Sequence, residues 1–157
     1  MILVIAEQRE GRLNRASWEA IAAAQQLAGG MPIKIAVVGA TTGSIANDLA
    51  SASVAEVLVA ENAALDPYTP DAYVMALQSL IESQKPQFVA LPHTYQTRDF
   101  APALAARMRK ALITDITGTK RSGAGATFSR PMFQGKLTAE VKAQGDAPHF
   151  VMFQIGA

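Results

Sequence analysis

The chain has 157 residues, half of them hydrophobic and 17% charged, with a net charge of +1 and no cysteine. That length suits one domain that buries roughly 70% of its unfolded surface, with no need of a staple. The missing cysteines exclude disulfides, cysteine-ligated zinc, iron–sulfur clusters and thiol nucleophiles, and the scattered charge offers no groove for nucleic acid.

The first element is the apolar run Ile2–Ala6, read as a parallel strand covered on both faces. It lacks a basic leader region and turns acidic at Glu7, so it is no signal peptide. No apolar run reaches the ~20 residues that span a bilayer. A cytoplasmic protein without membrane insertion is the expectation. Gly11 and Arg12 turn the chain, and Asn14 reads as a helix N-cap, with Leu13 and Trp18 as a hydrophobic staple. An alanine-rich helix then runs to a Gly29-Gly30 stop.

Residues 33–38 form the second strand, 44–50 a short helix and 57–60 the third strand. Thr69-Pro70-Asp71 starts a helix by cap, N1 proline and first-turn acid. Tyr73, Leu77, Leu80 and Ile81 give it one buried stripe, and Lys85-Pro86 ends it. Residues 88–91 are the fourth strand. The helix after it carries Phe100, Leu104 and Met108, and Pro102 places its start near Asp99. Arg107, Arg109 and Lys110 fall in its last turn, where cations complement the dipole. Strands alternating with helices over residues 1–110 predict a Rossmann-like parallel α/β sheet flanked by helices.

Beyond Lys110 the pattern changes to β. Residues 136–142 alternate polar and apolar, which predicts Leu137, Ala139 and Val141 facing the core and Lys136, Thr138, Glu140 and Lys142 facing water. Residues 149–155 read as a further strand. The segment 111–157 is thus a predominantly antiparallel β extension, with Gly118, Gly123 and Gly125 at a flexible hairpin tip.

The block from Leu112 to Val141 carries the sharpest signal: Thr114 and Asp115 on a strand, then Arg130, Pro131, Phe133 and Gly135 in a hairpin. It resembles the end of the N-terminal domain in electron transfer flavoprotein α subunits. The likeness extends to residues 3–7, the turn at 11–14 and the helix segment 101–107. It implies a single N-terminal α/β domain over 1–157, of adenine nucleotide α-hydrolase-like fold. The C-terminal FAD-binding domain is then expected to be absent from this chain. The intact heterodimer would carry FAD, with AMP in the β subunit, and shuttle electrons from dehydrogenases to a quinone reductase. This domain would supply scaffold and β-subunit contact. It would be an electron-carrier component and no enzyme by itself.

Open parallel sheets take ligands at the carboxyl ends of their strands. The loop after strand four fits that place, with His93, Thr94, Thr97 and Arg98 leading into a helix N-terminus that could hold an anion. The alternative reading is therefore a stand-alone AMP- or ATP-binding domain using this loop. It has no glycine, and Thr97 stands where the family pattern has one, while Arg98 and Asp99 match. No G-x-G-x-x-G or Walker motif occurs. Asp115 has no recognisable partner, His149 is isolated on its strand, and Asp66, Asp71 and Asp99 read as capping acids. Metal-ligand spacing is absent. Trp18, Phe150 and Phe153 read as core or interface residues. An arginine in an apolar strand is costly to bury unpaired, so Arg130 reads either as an edge-strand residue whose stem snorkels to solvent or, as the resemblance implies, as part of a candidate partner interface with Phe133. Self-association is expected where no partner covers that face.

Overall fold

A computed structural model describes residues 1–123 and 125–156. In chain order the elements are β1 (Ile2–Ala6), a small hairpin of β2 (Gln8–Arg9) and β3 (Arg12–Leu13), α1 (Ala16–Ala28), β4 (Ile33–Gly39), α2 (Ile45–Leu49) and β5 (Glu56–Glu61). A 3-10 turn at Ala63–Leu65 leads to α3 (Pro70–Gln84), β6 (Phe88–Pro92) and α4 (Tyr95–Arg107). The tail holds β7 (Leu112–Ile116), β8 (Gly118–Ser122), β9 (Gly125–Met132), β10 (Leu137–Val141) and β11 (His149–Phe153).

Six strands form one parallel sheet in the order β5-β4-β1-β6-β11-β7. β1 lies inside it and all five of its residues are buried, which is why its sequence does not alternate. Val4 joins Ala20, Ala24 and Leu27 of α1 on one face. Leu3 and Ile5 join Leu77 and Ile81 of α3 and Leu104 of α4 on the other. Each such fully buried aliphatic side chain contributes about 1.5–3 kcal/mol, so two helical layers hold the sheet.

The antiparallel sheet is separate, in the order β10-β9-β8. Phe128 of β9 is fully buried and meets Phe88 of β6 edge-on at 6.1 Å, which anchors this sheet to the core. The expected antiparallel tail is therefore right for three strands and wrong for two. β7 and β11 are parallel members of the main sheet, and β11 inserts between β6 and β7. Phe150, Val151 and Met152 are fully buried, as a central position requires.

Three further expectations change, and one is refined. Asn14 Oδ1 accepts from the Ala16 N–H at 3.0 Å, so its side chain satisfies a first-turn donor of α1 as a cap does, although Arg15 bounds the helix. Leu13 packs against the core, while Trp18 is 39% exposed. α4 starts at Tyr95 rather than near Asp99, because Thr94 and Thr97 form a capping box there. Pro102 therefore sits inside the helix. Arg107 occupies the last turn, but Arg109 and Lys110 lie beyond it. In β10, Ala139 and Val141 are half-buried and Val141 packs on the core, while Leu137 is 60% exposed. The alternation holds at Ala139 and Val141 and fails at Leu137.

Several local signals behave as read. Thr69 caps α3, Gly29 and Lys85 adopt left-handed backbone at helix ends, and Tyr73, Leu77 and Ile81 are buried with Leu80 half-buried. The expected glycine tip is met only by Gly123, which lies in the turn, whereas Gly118 lies in β8 and Gly125 opens β9. That hairpin tip includes Ala124, which lies outside the described residues. No helix among the described residues is long and apolar enough to cross a membrane.

Candidate functional site

The strand order reverses between β1 and β6, so their carboxyl ends flank the crevice where this architecture takes ligands. In this chain a side chain stands across it. Glu7, the residue after β1, accepts a hydrogen bond from the Thr94 hydroxyl after β6. The other oxygen of the carboxylate accepts from Asn14 Nδ2 at 2.6 Å. The Glu7 N–H donates to Ser17 Oγ at 2.9 Å, so α1 also holds this corner. A carboxylate in that place supplies negative charge beside the start of α4.

The first turn of α4 uses its own donors. The Thr97 N–H donates to Thr94 Oγ1 at 3.2 Å, and the Thr94 N–H donates to Thr97 Oγ1 at 3.0 Å. Thr97 Oγ1 also donates to the Pro92 carbonyl, and the side chain is 1% exposed. Of the expected anion loop, Thr94 and Thr97 are thus structural partners of each other. Arg98 is exposed, 5.9 Å from the centre of the Tyr95 ring.

Gln8 closes the neighbouring end of β4 in the same manner. Its amide donates to the Val38 carbonyl at 3.1 Å and accepts from the Gly11 N–H at 3.0 Å. Gly39 makes room for it, since a Cβ there would stand 2.2 Å from Gln8 Nε2. Beyond lies a cleft of about 490 Å³ bordered by Tyr68, Tyr73 and Gln96. Tyr68 donates to Asp99 at 2.9 Å, so Asp99 serves α4 as a tether to the α3 side and not as a cap. Burial, with the Asp99 carboxylate beside it, holds the Tyr68 hydroxyl well above its ordinary range.

A second cleft, about 700 Å³, opens on the other side of the loop and is lined by Asn14, His93, Arg98, Asp115 and Gln154. Here Asp115 has a partner after all: its Oδ1 lies 3.4 Å from His93 Nδ1. The two are 22 positions apart and meet across β11, which lies between β6 and β7, so no local pattern announces the pair. Burial lowers the His93 pKa, Asp115 works against that, and Arg98 and Arg130 reinforce it. Burial likewise lowers His149, which lies at the opposite end of β11 against Phe88.

Arg130 is the other residue that the sequence singles out. It is half-buried on β9, paired in register with Ala139, and its Nε is buried without an acceptor among the described residues. Phe133 is 70% exposed at the β9–β10 turn, where Phe133, Gln134 and Gly135 all have left-handed backbone. No group of three or more histidines and acids among the described residues could hold a metal ion.

A family model for the electron transfer flavoprotein domain matches residues 2–157. The electron transfer flavoprotein subunit alpha of Bacillus subtilis (strain 168) is 34% identical over 140 residues, covering 89% of this chain and 43% of the relative. The corresponding subunit of Mycobacterium tuberculosis (strain ATCC 25618 / H37Rv) is 33% identical over 147 residues, 94% of this chain and 45% of that one. Protein FixB of Clostridium saccharobutylicum is 31% identical over 159 residues, with 99% and 47% covered. The chain spans about half the length of these curated relatives.

Proposed function

We propose that this chain, which belongs to the electron transfer flavoprotein domain family, acts as the scaffold and β-subunit contact of an FAD-dependent electron shuttle. In this reading the assembled protein takes electrons from dehydrogenases and passes them towards a respiratory quinone reductase. The chain itself contributes rigid structure and docking rather than a redox centre or a reaction.

The observation that carries this reading is the build of the β8–β9–β10 sheet. It is fixed to the core through Phe128, yet presents Phe133 and Leu137 to solvent and leaves Arg130 Nε without an acceptor. Large exposed apolar groups rimmed by a polar edge mark association surfaces, and a buried N–H without a partner is costly until something supplies one.

The residues present do not fit a flavin or a nucleotide in the crevice between β1 and β6. Glu7 and Thr94 bridge it, and the first-turn donors of α4 are engaged by Thr94 and Thr97. Flavin recognition needs a concave pocket that covers most of the ligand. In this reading FAD belongs to another part of the assembly and AMP to the β subunit, as the family resemblance implies. The stand-alone nucleotide module is the weaker alternative for the same reason. Co-purification with the cognate β subunit tests the reading: a stable complex is expected, and a folded chain that never associates would overturn it.

A further inference from the structure

The strands of the antiparallel sheet are held to the body of the molecule in different ways. β9 buries Ala126 and Phe128, and Val141 of β10 packs on the same cluster. β8, on the outer side of β9, has no buried residue. Its reach to α1 is made by an arginine. Arg121 Nη1 donates to the Leu27 and Ala28 carbonyls at 3.1 and 2.7 Å, and Nη2 donates to the Gly123 carbonyl at 3.2 Å. One guanidinium thus joins the carboxyl end of α1 to the β8–β9 turn.

The end of α1 is shaped to receive it. The helix has no basic residue in its last turn to face the negative end of its dipole. Gly29 follows, and a Cβ there would stand 2.7 Å from Cδ and Nε of Arg121. Glycine therefore serves twice at this position, by its left-handed φ of 49° and by the room it leaves for the arginine. The apolar attachments of the sheet lie on β9 and β10, and Arg121 fixes the opposite edge. The sheet is thereby kept from tilting about its packed side.

We propose that Arg121 is a positioning residue for partner binding: by tying the β8 edge to α1, it holds the face with Phe133 and Leu137 in one orientation. This rests on the reading of that face as the β-subunit contact. Phe133 and Leu137 lie at the β9–β10 turn, at the other end of β9 from the β8–β9 turn. Arg121 accordingly acts through the sheet and not by touching what binds there. Groups that move before association must be ordered on binding, which weakens affinity, and a sheet fixed beforehand avoids that loss.

Amide hydrogen exchange of the free chain and calorimetric titration with the cognate β subunit test this role. Arg121→Met keeps an unbranched stem without a donor. Gly29→Asn keeps a residue that tolerates left-handed backbone, while its Cβ displaces the guanidinium. Arg121→Lys retains a cation for the α1 carbonyls. In the first two variants the β8 amides should exchange about fivefold faster, with the chemical shifts of β1 and β6 unchanged as evidence of a retained fold. Their affinity for the β subunit should fall about fivefold, and Arg121→Lys should stay within about twofold of native. A native chain that fails to bind would overturn the β-subunit reading and this role with it. A native chain that binds, with Arg121→Met binding as tightly, would overturn this role alone, whether or not exchange in β8 changes.

Discussion

Glu7 at the end of β1 and Thr94 before α4 are joined by a hydrogen bond that crosses the point where the strand order reverses. The bond is long-range in sequence and local in space, so it ties the first strand to the fourth βα unit. It also sets a carboxylate where this architecture would otherwise admit an anionic ligand.

Removal of that bridge should be felt as stability rather than as gained binding. Glu7→Ala takes an acceptor from both Thr94 and Asn14, and a loss of about 1–3 kcal/mol is expected from urea unfolding. Thr94→Val loses the same bond and the α4 cap as well, so it should cost at least as much. The double substitution should fall short of the sum by at least about 0.5 kcal/mol, because the two share one bond. Strict additivity would mean that the bridge contributes nothing.

The second sheet should separate into an anchor and a free face. Phe128→Ala empties a fully buried aromatic site and is expected to cost about 3–5 kcal/mol. Leu137→Thr, at a residue 60% exposed, should stay within about 0.5 kcal/mol of native. Comparable losses at both positions in thermal or chemical unfolding would refute this division.

Elements whose cause is local were legible in the sequence, and so was the alternation over the first four strands. The Thr69-Pro70 cap, the Gly29 stop and the apolar β1 each follow from neighbours in the chain. Pro102 points to a start of α4 near Asp99, whereas the Thr94–Thr97 box sets the start at Tyr95 and outweighs one lost backbone bond. The parallel insertion of β11 was missed because its partners, β6 and β7, are fixed by tertiary pairing alone. The His93–Asp115 pair lies across that inserted strand, so local spacing does not announce it either. Arg121 is a similar case: its Nη1 donates to the Leu27 and Ala28 carbonyls at 3.1 and 2.7 Å, capping α1 from 93 positions away. Nothing in the spacing of α1 points to it.

Both histidines contribute a pH dependence of known sign. Burial sets each below the ordinary value of 6.5. In the window between that value and the lowered ones, the unfolded chain binds more protons than the folded chain, so stability rises with pH there. The contribution is complete above about 6.5 and is lost as pH falls through the folded values. Urea midpoints should therefore drop between neutral and mildly acidic pH, and the combined His93→Gln and His149→Gln chain should show a flatter profile. A native chain that gains stability on acidification across this window would contradict the assignment.

The purified chain should be colourless. The bridge across the β1–β6 crevice leaves no enclosed place for an isoalloxazine ring there, so added FAD should elute separately on gel filtration. A yellow preparation with stoichiometric flavin would remove the basis for placing the cofactor elsewhere.

Calorimetric titration of the cognate β subunit into this chain, native and with Arg130→Glu plus Phe133→Ser, bears most directly on the scaffold role. Native chain should give saturable 1:1 heat, and the double variant, shown to be folded by its unfolding transition, should lose at least about tenfold in affinity. Equal affinity of the two chains would contradict the placement of the contact on the β9–β10 face.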